Sequence, residues 1–134
     1  TDSRIGRIAS VMMSSSETIF YTMSIYFMTV KVKKTTDSTI EYEIEAPDMS
    51  NVFIDMNTKA DNISEDGLLD YIKSYAPNAE TKETTVSLEY ILVDDEPIVN
   101  YQDEEFINAV TGGLLDAYKN LYSEMLEEYT EGVD

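Results

Sequence analysis

Chemistry in this chain is restricted to carboxylates, hydroxyls, amines and guanidinium groups. Its 134 residues contain no histidine, cysteine or tryptophan. A Ser-His-Asp or Cys-His nucleophile is therefore excluded, and so are disulfides and thiolate metal sites. The lack of cysteine leaves the redox compartment open. A Ser-Lys pair remains chemically conceivable, but no spacing singles one out. The glycine pair Gly112-Gly113 lacks the pattern of a phosphate-binding or dinucleotide-binding loop.

Carboxylates are abundant, with 27 acids against 9 bases and a net charge of −18. Such numbers make adjacent acids uninformative about acid–base catalysis, which needs two carboxyls facing one another across a cleft. Calcium is the metal best suited to this donor set, because it takes oxygen ligands. Asp94-Asp95-Glu96 and Asp103-Glu104-Glu105 are the runs that could converge on it, though neither follows the EF-hand pattern. A charged turn and a favourably charged helix start explain both runs without a metal. The reading therefore assigns no metal, no cofactor and no catalytic residue.

Ten tyrosines and seven methionines are the other chemical feature. Tyr71, Tyr75, Tyr90, Tyr101 and Tyr118 are the candidate ligand-binding residues, as hydroxyls rimming an apolar pocket between helices and sheet. Methionine would make such a pocket adaptable. Tyrosines that pack at the edge of a core with their hydroxyls in water are the simpler account.

The charge is unevenly distributed. Residues 1–36 hold two acids against five bases, and residues 37–134 hold 25 acids against four. So acidic a body is a poor partner for nucleic acid, whose phosphates need a basic footprint. The basic end is suited to an anionic membrane surface, with the acidic body held away from it. No run reaches the ~20 apolar residues of a spanning helix.

The elements that would position these groups are readable from periodicity. Ile5, Ile8 and Met12 predict a helix over 4–13, ended by Ser14-Ser15-Ser16. A second short helix over 16–25 and a strand over 26–35 follow. Residues 39–45 alternate apolar and polar, as in a half-buried antiparallel strand that ends at Pro47. Residues 52–56 fit either helix or strand. Ser64-Glu65-Asp66 is a helix start, and Pro77 stops that helix. Residues 81–93 form the longest strand, apolar on both faces towards its end and so expected to be covered on both sides there. A polar turn at Asp94-Asp95-Glu96 and a returning strand from Pro97 to Tyr101 complete a hairpin. A long helix over 103–129 closes the chain. Gly112-Gly113 inside it marks either a break or a close approach of backbone to sheet. The tail from Glu131 to Asp134 is expected to fray.

This is one α+β domain over residues 1–134, with an antiparallel sheet packed against helices. The order of elements resembles the nuclear-transport-factor-2-like or cystatin-like cone, in which a curved sheet wraps around helices. Two segments are also similar to small lipoproteins of Gram-positive gut bacteria that carry such a domain. One is Glu41-Tyr42-Glu43-Ile44-Glu45-Ala46-Pro47-Asp48-Met49-Ser50, and the other is Phe106-Ile107-Asn108-Ala109-Val110-Thr111-Gly112-Gly113-Leu114. Where that family has a Trp-Lys-Ile strand, this chain has Pro97-Ile98-Val99. The resemblance implies a lipoprotein signal and a lipidated cysteine ahead of Thr1. It also implies a domain tethered outside the cell, whose partner is an unspecified small molecule or protein. An acidic cytosolic secretion chaperone, working as a dimer, is the alternative. Strands at 18–30 and 51–57 would favour it, and helices there would favour the cone. A small cone-fold enzyme using carboxylates is the third reading. Oligomeric state is left open.

Overall fold

The computed structural model describes residues 4–59 and 63–131. Among the described residues, five helices and four strands follow one another, in pairs after the first helix. Helix α1 (Arg4–Tyr26) leads into strands β1 (Thr29–Thr35) and β2 (Thr39–Pro47). Helices α2 (Val52–Lys59) and α3 (Glu65–Tyr75) follow, and α3 ends in a 3-10 turn at Ala76–Asn78. Strands β3 (Thr81–Val93) and β4 (Glu96–Val99) precede helices α4 (Glu104–Val110) and α5 (Leu114–Glu131). The sheet is antiparallel in the order β1-β2-β3-β4. The expected α+β architecture, an antiparallel sheet packed against helices, is what the chain adopts.

The first expected helix does not stop at Ser14. It runs unbroken to Tyr26, so the expected break and the second helix at 16–25 are one continuous element. The physical reason is visible in the stripe Ile8, Met12, Ile19, Met23, all fully buried and in phase across the serines. Ser14 donates its hydroxyl hydrogen to the Val11 carbonyl at 2.9 Å instead of capping a new helix. Packing of one continuous face outweighs the local preference of serine for helix ends.

The alternation of β2 holds as expected. Tyr42, Ile44 and Ala46 are buried, whereas Glu45 is exposed and Glu41 and Glu43 are half-buried. Ser64 caps α3 by accepting from the Gly67 N–H at 3.2 Å. Residues 52–59 are helical, which settles the open choice there. The expected frayed tail lies, from Gly132 onward, outside the described residues.

The side chains form two cores. Helices α1, α2, α3 and α5 share one, built around Ile8, Met12, Met49, Leu68, Ile72 and Leu114. The second lies between the sheet and α4, where Tyr42, Ile44, Val86 and Leu88 meet Ala109 and Val110. Each fully buried aliphatic side chain stabilises by about 1.5–3 kcal/mol relative to its exposed state.

The expected single helix over 103–129 is divided at Thr111-Gly112-Gly113. Gly112 and Gly113 take φ of +65° and +88°, a conformation that L side chains avoid. Both sequence readings of this pair hold, because the helix ends here and its backbone also closes on the sheet. A Cβ on Gly112 would meet the Pro47 carbonyl oxygen at 1.7 Å. The Met49 N–H donates to the Gly112 carbonyl at 2.8 Å. The break lets α4 lie on the sheet while α5 turns into the helical core. Asn108 clamps the two helices, its Oδ1 accepting from the Asp116 N–H at 2.9 Å.

Candidate functional site

The five predicted tyrosines do not share one pocket. Tyr71 and Tyr75 come together, stacked with ring centroids 6.3 Å apart. They line a shallow depression of about 330 Å³ with Asp55, Ser74, Asn78 and Ala79. The Tyr71 hydroxyl donates to Asp55 Oδ2, and Lys59 Nζ lies 2.8 Å from Asp55 Oδ1. Lys59, then Tyr71, hold the Asp55 carboxyl below its ordinary pKa. Burial, then the carboxylate, push the Tyr71 phenol up to about 12. The arrangement is internally satisfied, with the one carboxylate already engaged by a cation and a hydroxyl. Tyr118 lies apart from this pair on α5, half-buried against the helical core.

Tyr90 and Tyr101 both stand at the base of the β3–β4 hairpin. The Tyr90 N–H donates to the Ser38 carbonyl at 3.0 Å, and its hydroxyl donates to the Thr36 carbonyl at 2.7 Å. These bonds tie β3 to the turn between β1 and β2. Tyr101 pairs hydroxyl to hydroxyl with Tyr42 at 3.0 Å and packs against Phe106 with centroids 5.4 Å apart. Burial and the bond to Tyr101 raise the Tyr42 phenol to about 12. The two tyrosines therefore brace a projecting element.

That element is the ribbon beyond Glu89. The last β2–β3 pair is Thr39 with Glu89, so residues 90–93 of β3 pair only with β4. Ile91 lies opposite Ile98, and Leu92 opposite Pro97. Alternation along a strand puts Ile91, Val93 and Ile98 on one face and Leu92 with Pro97 on the other. Helix α4 packs on β3 at Val86 and Leu88, and Val99 of β4 packs against the same cluster. The expectation of cover on both sides of this strand end is overturned: Ile91 is 65% exposed, Leu92 62%, Val93 48% and Ile98 52%. The sheet simply ends before the ribbon does, since β2 begins only at Thr39.

The turn fits a two-residue hairpin. Asp94 and Asp95 have φ of +51° and +66°, which the primed turn demands and aspartate tolerates. Between Ser38, Glu89, Tyr90, Ile91, Ile98, Val99 and Asn100 lies an open groove of about 710 Å³. Of the other exposed apolar residues, Met13 and Tyr21 lie on α1 and Ile54 on α2. Four large apolar side chains within eight residues are a patch of a different kind. Sequence reasoning did not select Ile91, Leu92, Val93 or Ile98. Their two-sided apolarity was visible, but it reads equally as a buried strand.

The two acidic runs considered for calcium have structural roles. Asp94 and Asp95 make the turn, and Asp103 caps α4 by accepting from the Phe106 N–H at 3.0 Å. A different trio, Glu43, Glu45 and Glu83, gathers on the open face of the sheet with carboxylate oxygens within 4.8 Å of one another. Glu43, above all by its hydrogen bond, raises the Glu83 pKa. Glu45 and Glu83 are exposed, and the three like charges repel one another when all are ionised.

The basic end is also divided. Arg4 opens α1, whose 23 residues span roughly 34 Å at ~1.5 Å per residue, and the lysines follow on β1. Arg4 is spent on α2, donating to the Asn57 and Met56 carbonyls at 2.8 and 3.2 Å. Lys31 and Lys34 lie across from Glu43 and Glu41 of β2. No helix among the described residues is long and apolar enough to cross a membrane. No protein-family model matches the chain, and neither does any curated protein or solved structure.

Proposed function

We propose that this chain is a non-catalytic interaction domain, lipid-anchored outside the cell, whose working surface is the β3–β4 ribbon. One observation carries the reading: Ile91, Leu92, Val93 and Ile98 stand in water on both faces of a braced hairpin. Exposed apolar side chains gathered in this way mark contact with another molecule. Neither depression described above holds a carboxylate pair, since Asp55 alone lines one and Glu89 alone the other. Acid–base catalysis by a carboxylate pair gains no support from that distribution.

The setting outside the cell rests on the two segments that resemble cone-type lipoproteins. They meet in space, since Pro47 of one touches Gly112 of the other. Helices at 18–26 and 52–59 favour this reading over the secretion chaperone, whose order would begin helix and then three strands.

The test is a photoreactive side chain at Ile91, with the same group at Tyr21 as control, in intact cells that make the native protein. The reading expects one discrete adduct from Ile91 and none from Tyr21, and loss of the domain when protease is added outside. Equal adducts from both positions, or resistance to the protease, would count against it.

A further inference from the structure

The acids around the ribbon identify what kind of partner it takes. Resting on the reading that the ribbon is a working surface, we infer that it docks into an apolar groove rimmed by lysine or arginine on a basic partner protein. Residues 89–105 hold seven acids and no base: Glu89, the run Asp94-Asp95-Glu96, and the run Asp103-Glu104-Glu105. The first marks the base of the ribbon, the second its tip, and the third follows Tyr101 into α4, where Lys119 already pairs with Glu104 at 2.9 Å and leaves the other six acids to frame the ribbon. An apolar patch framed in one sign of charge selects a partner of the opposite sign and speeds its approach.

The same frame argues against a second copy. Each copy carries a net charge of −18, and ribbon against ribbon would bring two acidic frames together. Strand β1 offers lysines, but Lys31 and Lys34 already face acids of β2. Among them it has a single strongly exposed apolar residue, Val32, to set against four. An anionic lipid surface is disfavoured by the same repulsion.

The mode of contact follows from Pro97. It lies in β4, at the edge of the sheet, and carries no N–H. A strand added along β4 would lack a donor at the middle of that four-residue edge. Recognition therefore runs through the side chains on the two faces, as a finger enters a groove, and not through extension of the sheet.

The experiment titrates the domain with an amphipathic peptide of leucine and lysine, which presents an apolar face rimmed by ammonium groups. Its leucine–glutamate counterpart, and vesicles of phosphatidylcholine with or without phosphatidylserine, run in parallel. Backbone amide shifts locate the contact. We expect shifts confined to residues 89–105 and at least tenfold weaker binding by Ile91→Ser/Ile98→Ser. That change keeps every charge and alters exposed positions, and circular dichroism confirms that the variant folds. Less than twofold loss would mean diffuse attraction to an acidic protein and would overturn the inference. Ribbon-dependent binding to vesicles, to the glutamate peptide or to a second copy would also overturn it, but would leave the ribbon as a working surface. If no probe touches the ribbon and the variant changes nothing, both readings fall.

Discussion

The carbonyl oxygen of Pro47 occupies the space in which a side chain on Gly112 would have to sit. A Cβ there would lie 1.7 Å from that oxygen. The Met49 N–H, two residues on, bonds the Gly112 carbonyl at 2.8 Å. Strand β2 and the α4–α5 junction are therefore locked backbone to backbone, and this lock sets α4 on the sheet. Gly112→Ala is predicted to cost about 3 kcal/mol or more, from left-handed strain plus displaced backbone. Gly113→Ala meets only the tip of Lys82 at 3.4 Å and should cost about 1–2 kcal/mol, for the left-handed conformation alone. Urea denaturation of both variants checks the order.

Ser15 is 3% exposed, in the middle of α1. Its hydroxyl has no hydrogen-bond partner. Removing a buried hydroxyl that bonds nothing relieves its desolvation. Ser15→Ala is expected to be neutral or to stabilise by up to ~1 kcal/mol, and Ser15→Leu to destabilise by about 1–3 kcal/mol through overpacking. Thermal unfolding distinguishes the two.

Tyr42 and Tyr71 have phenols raised to about 12. An unfolded tyrosine titrates near 10. Between these values the unfolded chain loses protons that the folded chain keeps, so the stability from these groups is complete below pH ~10 and fades as pH rises towards ~12. Ultraviolet titration of tyrosinate should show a late-ionising fraction in the native protein. Tyr42→Phe and Tyr71→Phe should each reduce it.

Glu83 works in the opposite sense from a salt-bridged acid. Its pKa is raised by Glu43, so the folded state holds that proton more tightly than the unfolded state. Repulsion then appears as pH rises through the folded pKa. Glu83→Gln is predicted to raise the melting temperature at neutral pH, with the gain disappearing below the unfolded value near 4. An unchanged melting temperature at neutral pH would remove the trio as a source of strain.

Elements whose period and end signals agree were legible in the chain. Strand β2 shows clean alternation, and α3 carries its own cap at Ser64 and stop at Pro77. The misreadings have physical causes. Serines at 14–16 are helix-end residues by preference, yet a buried stripe from Ile8 to Met23 carries α1 through them. Gly112 displays its freedom in sequence, but the oxygen that requires it belongs to Pro47, 65 positions earlier. The ribbon is the sharpest case. Ile91-Leu92-Val93 reads as a strand buried on both sides, because sequence does not show how far β2 extends along its neighbour. The tyrosines were separated for the same reason: which helix or turn each one faces is decided by pairing across the fold.

The claim that the ribbon stands bare and awaits a partner is tested most directly by one reporter. The chain has no tryptophan, so Ile98→Trp adds a single indole to a position 52% exposed. In the dilute purified domain its emission should be that of indole in water and open to quenching by acrylamide. A blue-shifted, unquenched emission under those conditions would mean that the ribbon is already covered, and would contradict the account.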